Sequence, residues 1–285
     1  MKSIIKNILC GMVIGVANIV PGISGGTMMV VLDVFDTLVY SISHIRTEFK
    51  KSSSFLLQIL IGAGIAVLLF SSLVAFLLDR QYMATNFFFI GVIVGSIPLI
   101  WGKATQDRFK MVHLLPCLMT LGIMLFSVFG LPSGSSVIMR ELTPVLFFQL
   151  LIIGAIAAFC MIIPGLSGSF VMLLFGMYDT ITTAIAELNI PVLIPIGVGV
   201  LIGVWLGSVL IDGLLKRYPQ ATYFSIFGFM LGSIPAILDK IRIENAFVGG
   251  FPLVIGILAL VIGGVISFLF SNEKFKEKLV AAVRK

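Results

Sequence analysis

Long uncharged stretches alternate with short polar segments along most of the chain, and this pattern predicts membrane-spanning helices. A helix needs about 20 apolar residues to cross roughly 30 Å of hydrocarbon. Six stretches are long enough, at about 55–78, 85–102, 111–130, 191–211, 221–238 and 251–271. Two further apolar regions, 4–43 and 143–186, are interrupted near their middles by Pro-Gly-Ile-Ser-Gly-Gly (21–26) and Pro-Gly-Leu-Ser-Gly-Ser (164–169).

The two interrupted regions are copies of each other. Gly11–Ile42 aligns without gaps with Gly154–Ile185, and both contain Pro-Gly-x-Ser-Gly followed by Asp-Thr. A second block, Leu77–Lys103, aligns with Leu214–Lys240 and shares Gly-Ser-Ile-Pro. Two repeated blocks in the same order indicate a duplication. The sequence therefore predicts two halves, 1–130 and 143–271.

The distribution of basic residues predicts how the halves are oriented. If each interrupted region is a re-entrant hairpin, each half crosses three times and the second half is inverted. With a cytoplasmic N-terminus, 15 of the 19 Lys and Arg residues then lie inside, whereas a single crossing by each interrupted region leaves only 11 inside. The positive-inside rule favours the hairpins. The predicted fold is an all-α polytopic membrane protein with two inverted repeats, each a re-entrant hairpin plus three transmembrane helices, and a basic cytoplasmic tail at 272–285.

Composition narrows the class of protein further. Hydrophobic residues make up 59% of the chain and charged residues 11%, which excludes a soluble domain. Cytoplasmic loops account for the net charge of +6, so no nucleic-acid partner is predicted. The three cysteines lie in apolar segments, and no cluster of His, Asp or Glu has metal-ligand spacing. We therefore predict no enzyme activity, no metal and no cofactor.

The two interruptions predict a polar site at mid-membrane. Pro21 and Pro164 end the first half-helices, and Ser24 and Ser167 are suitable N-caps for the second. Each second half-helix would then direct free N–H groups towards an anion such as phosphate or carboxylate. The alternative is a tight, capped turn between packed helices, but two copies at matching positions favour the ligand. The candidate phosphate-binding residues are Asn18, Pro21, Gly22, Ser24, Gly25, Gly26, Thr27, Pro164, Gly165, Ser167, Gly168 and Ser169.

Charged residues near the hairpins have two interpretations each. Arg80 and Arg217 are equivalent through the repeat and either attract phosphate or anchor helix ends at the interface. Asp33, Asp36 and Asp179 follow the interruptions and are candidates for proton or sodium coupling, because ionisable groups at depth are usually functional. The alternative is that Asp36 and Asp179 lie near the interface and pair with a basic group. Asp33 has no counterpart, since Gly176 occupies the equivalent position.

The segment Asn-Ile-Val-Pro-Gly-Ile-Ser-Gly-Gly-Thr (18–27) resembles the bacterial polyprenyl-phosphate transporter family of the PopT type, formerly described as a domain of unknown function. The resemblance covers essentially the whole chain. It implies a multi-pass plasma-membrane transporter that returns undecaprenyl phosphate from the outer to the inner leaflet for cell-wall synthesis. The motif positions carried over are Pro21, Gly22, Ser24, Gly25, Gly26 and Thr27. The second copy departs from this pattern with Ser169 and Phe170 in place of Gly-Thr.

Two other functions fit part of the pattern. A secondary transporter of a small soluble anion would use the same helix ends. Undecaprenyl-pyrophosphate phosphatases also resemble inverted repeats with re-entrant hairpins, but they carry Pro-Gly-x-Ser-Arg-Ser and membrane-embedded glutamates. Here Gly25 and Gly168 stand where that motif has arginine, and no glutamate lies inside a predicted span. Hydrolysis would lack an acid, a base and a charged clamp.

Overall fold

The computed structural model describes residues 2–19, 24–106, 111–130, 138–166, 168–244 and 246–271, and all regular elements in these ranges are helical. This confirms the predicted all-α class. The helices of the first half are α1 (Lys2–Ile19), α2 (Gly25–Val31), α3 (Phe35–Ser43), α4 (Phe49–Arg80), α5 (Tyr82–Ala104) and α6 (Leu114–Phe129), the last preceded by a 3₁₀ turn at Met111–His113. Those of the second half are α7 (Pro144–Ile162), α8 (Gly168–Leu174), α9 (Tyr178–Ala186), α10 (Ile190–Arg217), α11 (Pro219–Ile243) and α12 (Phe251–Ser271).

Seven helices in the described residues are long and apolar enough to cross a membrane: α4, α5, α6 with its 3₁₀ turn, α7, α10, α11 and α12. Each of the six long apolar stretches in the sequence forms one of them, and α7 is the first limb of the second interrupted region. The apolar segments of α5 and α11 are 67% and 61% buried, against 17–39% for the other five. These two helices therefore form the centre of the bundle, and the others surround it.

Helix packing follows the duplication. In the first half α1 packs along α4, and in the second half α7 packs along α10 in the same way. The remaining pairs exchange partners between halves, since α5 packs along α12 and α11 along α6, while α5 and α11 contact each other. The two halves are thus interlocked around α5 and α11. Small residues permit this close packing: a Cβ added to Gly62 of α4 would overlap the backbone of Ile8, and one added to Gly203 of α10 would overlap Ala155.

The second limb of each hairpin is broken, which the sequence analysis does not anticipate. A single half-helix was expected after each Pro-Gly, but α2 and α3 meet at 117°, and α8 and α9 are likewise separate. The breaks lie at Asp33 and Gly176, which have φ values of 60° and 67° and are equivalent through the repeat. A left-handed residue ends a right-handed helix, and glycine adopts this conformation without strain. The expectation of one continuous second half-helix was therefore wrong.

Candidate functional site

The first hairpin tip contains two buried hydroxyl groups. Ser24 is the N-cap residue of α2, but its side chain makes no capping hydrogen bond. Its carbonyl oxygen accepts from the backbone N–H of Thr27 at 3.0 Å. The side chains of Ser24 and Thr27 are 6% and 1% exposed, and within the described ranges neither hydroxyl oxygen has a hydrogen-bond partner. An unsatisfied buried hydroxyl costs about 1–3 kcal/mol, so both groups are suited to a ligand.

The second hairpin meets the first at this point. A Cβ added to Gly26 would lie 3.1 Å from the carbonyl oxygen of Met161 and 3.2 Å from the Cα of Pro164. The start of α2 therefore lies against the end of α7. Gly25 lies in turn against the side chain of Asn18 at the end of α1. The structure thus brings together candidate phosphate-binding residues from both hairpins.

The second tip is built differently from the first. Gly165 has a φ of 93°, and a Cβ there would lie 2.6 Å from the carbonyl oxygen of Phe229 in α11. Gly168, the first residue of α8, lies against the Met161 side chain. Ser169 follows in the first turn of α8 and is half-buried. Three further candidates, Pro21, Gly22 and Ser167, lie outside the described residues.

An ion-pair cluster joins three helices beside the first hairpin. The Lys103 ammonium in α5 lies 2.7 Å from a carboxylate oxygen of Asp33 and 2.9 Å from one of Asp36. The hydroxyl of Tyr223 in α11 donates a hydrogen bond to the same Asp36 oxygen at 2.5 Å. Lys103 and Tyr223 are not among the residues singled out by sequence. The signal that could have found Lys103 is the repeat, because its equivalent, Lys240, is also basic.

The other charged candidates lie apart from this cluster. Asp179 is in the first turn of α9 and makes no ion pair with another described residue. Arg80 ends α4, is exposed and lies 3.4 Å from the carboxylate of Asp79. Arg217 ends α10 with its guanidinium 5.4 Å from the ring centre of Tyr218. Both arginines thus lie at helix ends, where Arg80 contacts Asp79 and Arg217 contacts Tyr218.

A polar cavity of about 1060 Å³ lies next to the ion-pair cluster. It is bounded by α3, by the first turns of α1 and α4, and by the junction of α10 with α11, and both Asp36 and Tyr223 line it. Three basic residues also line it: Lys50, Lys51 and Lys216. Because the positive-inside rule places these lysines in the cytoplasm, the cavity is predicted to face the cytoplasm.

Acidic groups in the cavity balance these lysines. Asp212 is 8% exposed and accepts hydrogen bonds from the Ser43 hydroxyl at 2.9 Å and the Lys216 ammonium at 2.8 Å. The Tyr40 hydroxyl donates to Glu48 at 2.6 Å. This hydrogen bond, together with Lys51, lowers the pKa of Glu48. The cavity is consequently polar and close to electrically neutral. Asp212 is not among the candidates that the sequence predicts.

The described residues contain seven long apolar helices and two broken hairpins that meet beside the buried hydroxyls of Ser24 and Thr27, and these features define a multi-pass helical membrane protein. Comparison with known proteins identifies its family. Residues 14–248 match the family described as undecaprenyl phosphate translocase-like, and the chain belongs to this family. The resemblance found from residues 18–27 is thus confirmed.

Two curated relatives are similar over most of their length. A polyprenyl-phosphate transporter of Staphylococcus aureus is 33% identical over 271 residues, which cover 90% of this chain and 95% of the relative. A polyprenyl-phosphate transporter of Vibrio cholerae is 30% identical over 243 residues, which cover 80% of this chain and 76% of the relative. No solved structure matches the chain.

Proposed function

We propose that this chain transports undecaprenyl phosphate from the outer to the inner leaflet of the bacterial plasma membrane, and that the lipid phosphate binds at the hairpin tips. The observation that carries the proposal is the pair of buried hydroxyls, Ser24 and Thr27, without partners where the two hairpins meet. The names of the two relatives support a polyprenyl phosphate as the cargo.

The chemistry of the tips suits a phosphate that must be bound and then released. A phosphate monoester carries a charge of about −1.5 to −2 and three acceptor oxygens. The Ser24 and Thr27 hydroxyls supply two donors, and the Asn18 amide, which lies against Gly25, adds a neutral group beside them. No described basic side chain forms a hydrogen bond with either hydroxyl, so the phosphate is held by neutral hydrogen bonds rather than by a permanent ion pair. Neutral donors bind the head group without trapping it.

The exposed apolar surface and the two repeated halves suggest where the prenyl tail lies and how the head group moves. Most of the large exposed side chains on the outer helices are apolar, and the prenyl tail stays in lipid beside them. The phosphate head enters the site from the outer face and leaves through the face that carries the polar cavity. The two halves, inverted relative to each other, exchange conformations to give alternating access. Both termini lie in the cytoplasm in this arrangement.

The membrane potential provides a reason for ion coupling. Moving one charge against 100 mV costs about 2.3 kcal/mol. A head group with two negative charges that moves inward against an inside-negative potential of 100 mV therefore costs about 4.6 kcal/mol. Co-transport of two protons or two sodium ions would remove this cost. Asp33, Asp36 and Asp179 are the carboxylates that we propose for this coupling.

Transfer of labelled undecaprenyl phosphate between the leaflets of proteoliposomes tests the proposal. We expect the unaltered chain to transfer the lipid under a proton or sodium gradient, and Ser24→Leu to lose transfer because leucine fills the tip. Ser72→Leu is the matched control, since Ser72 is exposed on α4. Absence of transfer by the folded, unaltered chain under either gradient would contradict the lipid cargo and favour a soluble anion. Release of inorganic phosphate from added undecaprenyl pyrophosphate would favour the phosphatase instead.

A further inference from the structure

The cluster around Lys103 connects parts of the protein that must separate if the hairpins move. Asp33 and Asp36 belong to the first hairpin, Lys103 to α5 of the same half and Tyr223 to α11 of the other half. Lys103 thus forms ion pairs with both carboxylates. Asp36 also accepts the hydrogen bond from the Tyr223 hydroxyl. The side chains of Lys103, Asp33 and Asp36 are 25%, 35% and 43% exposed. Water therefore reaches the ion pairs, so they can break without leaving a charge buried and unpaired.

The ion-pair cluster borders the polar cavity, whereas the hairpin tip does not. Asp36 and Tyr223 line the cavity, but neither Ser24 nor Thr27 does, and both tip side chains are buried. Helix α2 has seven residues, so about 10 Å of helix separates the tip from the Asp33 turn. The cavity therefore reaches Asp36 and Tyr223 but not the hydroxyls of the tip.

The second half contains residues equivalent to Lys103 and Asp36, but these residues do not form an ion pair with each other. Lys240 is equivalent to Lys103, and Asp179 is equivalent to Asp36. Within the described residues, Lys240 and Asp179 form no ion pair with each other, whereas Lys103 and Asp36 do. Duplicated halves whose equivalent charged residues are paired in one copy and unpaired in the other are expected of a transporter in one of two conformations.

We infer that Asp33, Asp36, Lys103 and Tyr223 form an inner gate that closes the path from the cavity to the hairpin tips. The pair Asp179 and Lys240 forms the corresponding outer gate in the other conformation. This inference rests on the proposed function, because it assigns the two gates to the two steps of alternating access. Opening the inner gate lets the phosphate head pass from the tips into the cavity, while closing the outer gate prevents its return.

Thiol labelling at the tip tests the inner gate without measuring transport. The background carries Ser24→Cys with Cys10, Cys117 and Cys160 replaced by alanine, and a membrane-impermeant maleimide is added at the face that carries Lys50 and Lys216. We expect slow labelling with the gate intact and at least tenfold faster labelling with Lys103→Gln. Lys240→Gln, the same substitution at the equivalent position, should not speed labelling from this face, because it weakens the gate that closes when the inner gate opens. The charge exchange Asp36→Lys with Lys103→Asp should restore slow labelling.

Tyr223→Phe provides a second variant that removes a single hydroxyl and retains the ring. We expect it to raise the labelling rate two- to threefold, and it carries the test if Lys103→Gln fails to insert. Unchanged labelling in these variants, or an equal increase with Lys240→Gln, would overturn the gate. Lipid transfer is measured separately in chains that retain Ser24, so the gate and the cargo are tested independently. Unchanged labelling with normal lipid transfer rejects the gate alone, whereas gated labelling without lipid transfer rejects the lipid alone.

Discussion

Replacing Thr27 with valine is expected to lower transport while leaving the fold equally stable or more stable. The side chain of Thr27 is 1% exposed and its hydroxyl has no partner in the described chain. Valine has nearly the same shape but no hydroxyl, so the substitution removes an unsatisfied buried group that costs about 1–3 kcal/mol. The free energy of unfolding should therefore stay constant or rise by up to this amount.

Transport should change in the opposite direction. A hydrogen bond to a charged group contributes about 1.5–3 kcal/mol, and each 1.4 kcal/mol corresponds to a factor of ten in affinity. Loss of the Thr27 hydroxyl should therefore weaken binding of the phosphate head by about 10- to 150-fold. The assay is transfer of undecaprenyl phosphate in proteoliposomes at lipid concentrations below saturation, together with thermal unfolding of the same sample in detergent.

Thr222→Val is the matched control. Thr222 is also buried, at 6% exposed, but its hydroxyl donates to the carbonyl oxygen of Tyr218 at 2.8 Å. Its loss should destabilise the fold by about 1 kcal/mol and leave the affinity for phosphate unchanged. A Thr27→Val variant that is less stable by more than 1 kcal/mol and transports normally would refute the assignment, because the hydroxyl would then be a structural group.

Three further substitutions test the packing and the charges. Gly165→Ala should destabilise the fold by about 2–5 kcal/mol, because it combines left-handed strain with overlap against the backbone of α11. Gly197→Ala is the control and should be neutral, since a Cβ at Gly197 meets open space. Thermal unfolding distinguishes the two variants. Gly62→Ala should loosen α1 from α4 and lower the melting temperature, but Gly64→Ala, which meets nothing within 4 Å, should leave it unchanged. Because the pKa of Glu48 is lowered in the folded state, its contribution to stability is present above the ordinary carboxyl pKa and is lost as the pH falls through the lowered value. Glu48→Gln should therefore flatten the acid side of a plot of melting temperature against pH, and an unchanged profile would contradict this.

The sequence predicts the architecture well because hydrophobic length and repetition are local properties of the chain. Six long apolar stretches form long helices, and the duplicated Pro-Gly-x-Ser-Gly segments place Gly26 beside Pro164. The break at Asp33 is less visible, since aspartate tolerates a left-handed backbone but also occurs in right-handed helices. The equivalent position holds Gly176, and glycine is the residue that adopts a positive φ without strain.

The ion pairs of Lys103 with Asp33 and Asp36 were not predicted, because they join residues that are far apart along the chain. Lys103 lies about 70 positions from Asp33 and Asp36, and Tyr223 belongs to the other half of the chain. Only the packing of α3, α5 and α11 brings these side chains together. The sequence predicts Lys103 at the end of a helix, and Lys103 lies in the last turn of α5, but the sequence gives no reason to pair it with the first hairpin.

Recognition of the phosphate head at the hairpin tips is tested most directly by comparing two lipids that differ in that group alone. Leaflet transfer of undecaprenyl phosphate and of undecaprenol is measured in the same proteoliposomes, for the unaltered chain and for Ser24→Leu. We expect rapid transfer of the phosphate lipid by the unaltered chain, loss of this transfer in Ser24→Leu, and only background transfer of the alcohol by both. Equal transfer of both lipids, or transfer of the phosphate lipid that Ser24→Leu retains, would contradict phosphate recognition at the tips.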